Sequence, residues 1–135
     1  MVHRFHLIVL SLFLLSSCQV NPYRDGEQIY KTQCANCHMD SGEGLSSLIP
    51  TLAQSDYLAP NRATLPCILR HGLRDTITVN GKIFAEQMPA NATLSEVDIV
   101  NVLNFVNHAW GNHLPPYSLD EVRKALEGCD PSFRH

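Results

Sequence analysis

Five consecutive residues, Cys34-Ala35-Asn36-Cys37-His38, put two thiols and an imidazole in the order C-x-x-C-H. Residues three apart are neighbours on a helical turn. The two sulfurs therefore share a face, and each can add to one of the two adjacent vinyl groups on a porphyrin edge. The next side chain offers a neutral imidazole, a good iron ligand. The pattern predicts covalent attachment of one c-type haem through Cys34 and Cys37, with His38 as an axial ligand. Two other chemistries use C-x-x-C. A zinc site needs four ligands, but Cys67, Cys129, His71, His108 and His113 form no second closely spaced pair. A thioredoxin-like dithiol needs a βαβ context, and none is visible.

The other face of the iron needs a partner. Met1 falls in the leader described below, and Met39 is pinned to the near side by His38. Met88 lies 50 residues beyond His38, followed by Pro89, in a loop long enough to cross the ring. A loop methionine is commonly a packing residue, and His71, His108 and His113 are competitors. Beside a C-x-x-C-H motif, Met88 is the expected second ligand.

Several elements must position these groups. A first helix should run through Gly26, Ile29 and Tyr30 into Cys34, with Asp25 as its cap. Gly42, Gly44 and Pro50 mark a loop, where Leu48, Ile49 and Leu52 are expected over the haem. Asp56-Tyr57-Leu58 could open a short helix. Another should begin at Thr64 or Leu65, carry Pro66 in its first turn and stop at Gly72. Asn80-Gly81, flanked by Ile77-Thr78-Val79 and Lys82-Ile83-Phe84, is a strong hairpin signal. Ser95-Glu96-Val97-Asp98 resembles a capping box. Ile99, Val102, Leu103, Val106 and Trp110 recur behind it at helical spacing as far as about Ala109. Ser118 to Glu121 caps a last helix that Gly128 stops. The expected fold class is all-α, short helices around one haem, with one small β-hairpin.

The N-terminal segment reads differently. Arg4 precedes an apolar run from Leu7 to Leu15, too short to span a bilayer, as in an export signal. Leu15-Ser16-Ser17-Cys18 resembles the lipobox of bacterial lipoproteins. That resemblance implies cleavage before Cys18 and lipid on its sulfur and amino group. Two or more acyl chains make a stable anchor. The expected organisation is a signal peptide at 1–17, a lipidated tether at 18–24 and a haem domain at 25–135. Gln19, in place of the Asp that retains lipoproteins at an inner membrane, leans toward an outer membrane. One cysteine for lipid and two for haem leave Cys67 and Cys129 of the five. In an oxidising compartment these can form a bridge or stay as two thiols, and a bridge is expected. Without residues 1–17 the chain has nine basic and thirteen acidic residues, a net charge of −4. That argues against nucleic acid as a partner.

Taken together, Gly26-x-x-Ile29-Tyr30-x-x-x-Cys34-x-x-Cys37-His38, the Met88-Pro89 pair and the Ile99 to Val106 helix resemble a class I mono-haem cytochrome c. The resemblance implies crossed N- and C-terminal helices, meeting through Gly26/Tyr30 and Phe105/Trp110. It also implies that the Pro50 carbonyl, twelve residues after His38, accepts the His38 Nδ1–H bond. Trp110-Gly111-Asn112 and Ser118 to Val122 resemble cytochrome domains that serve periplasmic dehydrogenases and nitrite reductases. The implied function is one-electron transfer rather than catalysis, on the periplasmic side of a membrane. Partners would be a redox dehydrogenase, reductase or oxidase. Two alternatives stand beside a free carrier. One is a cytochrome held in a stable enzyme complex, which a large exposed apolar patch around Trp110 and Leu114 would favour. The other is a haem-based gas sensor. Arg70, His71 and Arg74 could meet the haem propionates, or be solvated. The chain without haem is expected to fold poorly.

Overall fold

The computed structural model of the chain describes residues 21–130. The leader, Cys18 and Gln19 lie outside them. Helix α1, Arg24–Gln33, is followed after a one-residue break at Cys34 by α2, Ala35–His38. Helix α3 spans Leu65–His71, α4 spans Glu96–His108 and α5 spans Leu119–Glu127. Strands β1, Ile77–Val79, and β2, Lys82–Phe84, pair antiparallel with Ile77 opposite Phe84 and Val79 opposite Lys82. The described residues are mostly helical with one small hairpin, as the residue pattern implies. None of the helices among the described residues is long and apolar enough to cross a membrane.

Helix α1 crosses α4, the most extensive packing between elements. Gly26 makes the crossing possible. A Cβ there would overlap the Asn101 carbonyl and come within 2.8 Å of Phe105 Cβ. Beside it, Tyr30, Phe105 and Trp110 form an aromatic cluster. The Tyr30–Trp110 centroids are 4.8 Å apart, and Phe105 meets Trp110 edge-on at 5.2 Å. Such geometries align ring edges with ring faces. Ile99, Val102, Leu103 and Val106 of α4 are buried in the same core with Leu58, Leu65, Ile68 and Val122.

Local chemistry sets the element ends. Ser95 accepts from Asp98 N–H while the Asp98 carboxylate takes the Ser95 N–H, a full capping box; Ser118 and Glu121 repeat it. Asn80 and Gly81 both have positive φ, the condition of the tight turn that suits a twisted hairpin. Two local expectations are corrected. Asp25 lies in the first turn of α1 and the N-cap is Tyr23, with no side-chain cap bond. Its charge still suits the positive helix start. Asp56 to Leu58 form turns rather than a helix. Asp56 is instead committed to the hairpin: its carboxylate accepts from Asn80 N–H at 2.7 Å, and its own N–H donates to Asn80 Oδ1 at 3.0 Å.

Cys67 on α3 is disulfide-bonded to Cys129 just beyond α5, with a Cα–Cα distance of 5.7 Å. Arg62 adds a second tie to the C-terminal segment. Its guanidinium donates to the Pro115 and Pro116 carbonyls and to Glu121, and lies over the Tyr117 ring.

Candidate haem site

A deep apolar cleft opens between α2, α3, the 49–58 loop, the hairpin and the 86–89 loop. It contains about 1110 Å³ of space free of protein atoms, mouth included. Cys34, Cys37, His38, Pro50 and Met88 all line it. The short α2 and the residue before it deliver the first three. Cys34 N–H donates back to the Tyr30 carbonyl, and the His38 N–H to that of Cys34. The two sulfurs are free, Cys34 half-buried and Cys37 exposed. Burial, and then the neighbouring Cys37, push the Cys34 thiol up to about 11.

His38 is 9% exposed. Its Nδ1 lies 3.1 Å from the Pro50 carbonyl oxygen. That carbonyl can only accept, so Nδ1 carries the proton and Nε2 is left with a free lone pair. Burial lowers the ring's pKa, and the Pro50 bond opposes this in part. The net effect favours neutral imidazole, the form that binds metal. Two thiols on one turn, a neutral imidazole with one fixed tautomer and an apolar cleft suit a covalently held haem.

The surrounding chain is shaped to hold this geometry. Met39, after His38, has φ of 63° and its carbonyl accepts from the buried Tyr30 hydroxyl at 2.7 Å. The loop then returns: Gly44 N–H donates to the His38 carbonyl, and Leu52 N–H to the Gly42 carbonyl at 2.7 Å. On the far side, Met88 forms an antiparallel bridge with Leu73, with reciprocal N–H to carbonyl bonds of 2.9 Å. Gly72 permits this approach. Its φ is +82°, and a Cβ would sit 2.5 Å from the Met88 carbonyl oxygen.

Ile49 and Leu52 line the cleft as expected, joined by Tyr57 and Phe84; Leu48, also expected there, and Ile83 do not. Those two are 53% and 71% exposed. Alternation in a short hairpin sends neighbours to opposite faces, so Phe84 goes inward and Ile83 outward. Arg70, His71 and Arg74 are absent from the lining, whereas Asp75 and Glu86 are part of it. Arg70 Nε is buried without a partner among the described residues. Trp110 and Leu114 are partly buried and pack against the core. Asp75, Glu86 and the Leu73–Met88 bridge left no signal in the sequence beyond the glycine at position 72.

A helical shell around one apolar cleft, with C-x-x-C-H on a short helix at its wall, defines a c-type cytochrome. The family described as cytochrome c oxidase, cbb3-type, subunit III matches residues 21–106, and the chain belongs to this cytochrome c family. The family carries covalently bound haem c and transfers electrons. The chain is 34% identical to cytochrome c-552 of Thermus thermophilus, over 85% of its own length and 83% of that protein's. It is also 32% identical to the cytochrome c subunit of a quinone alcohol dehydrogenase from Gluconobacter oxydans. That match covers 73% of this chain and 21% of the relative. A gluconate 2-dehydrogenase cytochrome c subunit from Pantoea cypripedii is 34% identical over 64% of this chain and 20% of its own.

Proposed function

We propose that this chain carries single electrons on a low-spin haem attached at Cys34 and Cys37 and ligated by His38 and Met88. The observation that carries the reading is the convergence of these four residues on one cleft, with His38 Nδ1 engaged by Pro50. The bound haem supplies the one-electron couple. The protein's residues do the rest: Cys34 and Cys37 fix one edge, and Pro50 sets the tautomer of His38. Ile49, Leu52, Leu58, Leu65, Val102 and Val106 exclude water. With His38 and Met88 both holding the iron, no position would be left open to substrate, which favours electron transfer over catalysis. A thioether favours Fe(II) more than a second imidazole does, and an apolar cleft acts in the same direction. The midpoint potential should therefore be positive.

Export, lipid attachment at Cys18 and a place on the periplasmic side of a membrane complete the proposal. They rest on the sequence of the leader alone. A dehydrogenase or other redox protein would be the partner. A stable subunit role is the second reading, supported by likeness to the two dehydrogenase cytochrome subunits.

The test is expression in a host that matures c-type haem. The expected product is coloured, has the mass of the chain plus one haem, and shows a sulfur-to-iron charge-transfer band when oxidised. Met88→His should abolish that band and lower the potential. A colourless product that holds only a divalent cation would refute the haem reading. A native protein without the sulfur band would refute Met88 alone. Labelled fatty acid should be incorporated by the native chain and not by Cys18→Ser.

A further inference from the structure

We propose that Asn112, far from the cleft loop in sequence, is a positioning residue for the proximal haem ligand. This rests on His38 being that ligand. Asn112 is 5% exposed, and its side-chain amide donates to the Leu52 carbonyl at 2.8 Å and to the Val106 carbonyl at 2.8 Å. Leu52 lies two residues beyond Pro50, whose carbonyl holds His38 Nδ1. The Pro50 to Ala53 segment is thus gripped from both sides. The Gly42 carbonyl accepts from Leu52 N–H, Ala53 N–H and the Thr51 hydroxyl on one side, and Asn112 donates on the other.

The backbone is bent to deliver this side chain. Trp110 has φ of 50°, a left-handed conformation that costs a bulky residue energy. Gly111 follows at 82° and lies against Gln54, where a Cβ would come within 2.7 Å of the Gln54 side chain. The Trp110 ring covers Gly42, leaving 2.5 Å to a Cβ placed there. The turn after α4 therefore touches the proximal loop at three successive residues, and the Asn112 amide makes the directed polar contact.

The bond to Val106 also caps the last turn of α4, so loss of stability alone proves nothing. The haem distinguishes the roles. A firm Pro50 acceptor makes the His38 imidazole more electron-donating, which favours Fe(III). Loosening Leu52 weakens that acceptor, so Asn112→Ala should raise the midpoint potential. The expected shift is up to about 59 mV, a tenfold change in the one-electron ratio. Exchange of the His38 Nδ1 proton in the reduced protein, read by NMR, should quicken by about tenfold. Arg62→Ala is the control. It removes two carbonyl bonds to the same C-terminal segment without touching Leu52. It should lower the denaturation midpoint and leave potential and proton exchange unchanged. Asn112→Ser keeps a hydroxyl donor; it should give an intermediate shift and serves if the alanine variant does not mature. The positioning role is overturned if the Asn112 variants leave both readouts at the native values, or if Arg62→Ala moves them equally. A native protein lacking an imidazole-ligated haem would overturn the ligation reading, and it would do so before any variant is made.

Discussion

At the scale of single residues, Gly72 and Gly42 take left-handed conformations where the chain approaches a carbonyl or a ring, that of Met88 and that of Trp110. Gly26 is a different and clearer case of close approach. It has ordinary helical geometry, and what it supplies is the absence of a side chain at the α1–α4 crossing. Gly26→Ala should force the Asn101 carbonyl and Phe105 outward. The expected loss is about 1–3 kcal/mol in denaturant unfolding of the haem-bound protein. A variant as stable as the native protein would show that the crossing can relax. Gly72 acts similarly beside Met88. Both glycines stand out in the sequence, Gly26 as part of the haem motif and Gly72 as a helix stop. The need of Gly72 to clear the Met88 carbonyl was not legible, because nothing local to the helix stop signals a contact with a separate loop.

At the scale of elements, the helix starts depend on side-chain caps. Replacing Ser95 or Ser118 by Ala should cost about 1 kcal/mol each. The pH dependence follows from the partners. Hydrogen bonds from the Ser95 side chain and backbone hold Asp98 below the usual carboxylate range. The Ser118 backbone and then Arg62 do the same for Glu121. A carboxylate with a lowered folded pKa binds fewer protons when folded than when unfolded. Its contribution is present above the unfolded pKa and is lost as pH falls through the folded one. Glu121 is exposed and Asp98 only partly buried, so the effect is small. Thermal midpoints should fall as pH drops through the carboxylate range, and less steeply in Asp98→Asn and Glu121→Gln. Equal slopes in native and variant proteins would exclude the caps as a source. These boxes were readable because capping is local chemistry. The Asp56 to Leu58 expectation failed because the turn of a hairpin further along the chain competes for the same polar groups.

At the scale of the whole molecule, the C-terminal segment closes over α3 and is tied there. The Cys67–Cys129 bridge spans 62 residues. In the chain-entropy model such a loop is worth about 4 kcal/mol. Cys67→Ser with Cys129→Ser should lower stability by about that amount in denaturant titration while leaving the haem spectrum unchanged, since neither cysteine lines the cleft. A changed spectrum would mean that the brace also shapes the pocket. The cleft itself is a large apolar surface that the bound haem would cover. Without haem the chain should lose its cooperative thermal transition, and an apo protein that melts like the holo form would contradict this.

What the sequence determined by itself is the chemistry: C-x-x-C-H within one helical turn, a methionine far enough downstream to cross the ring, the caps and the hairpin turn. Each of these depends on residues within a few positions of one another, or on counting chain length between two points. What only the tertiary structure decided is which groups face the cleft, that Ile83 and Leu48 turn away while Asp75 and Glu86 turn in, and that Asn112 grips the loop carrying Pro50. Those outcomes depend on contacts between segments far apart in the chain. Packing and backbone hydrogen bonding select among them, and no short-range pattern encodes the choice.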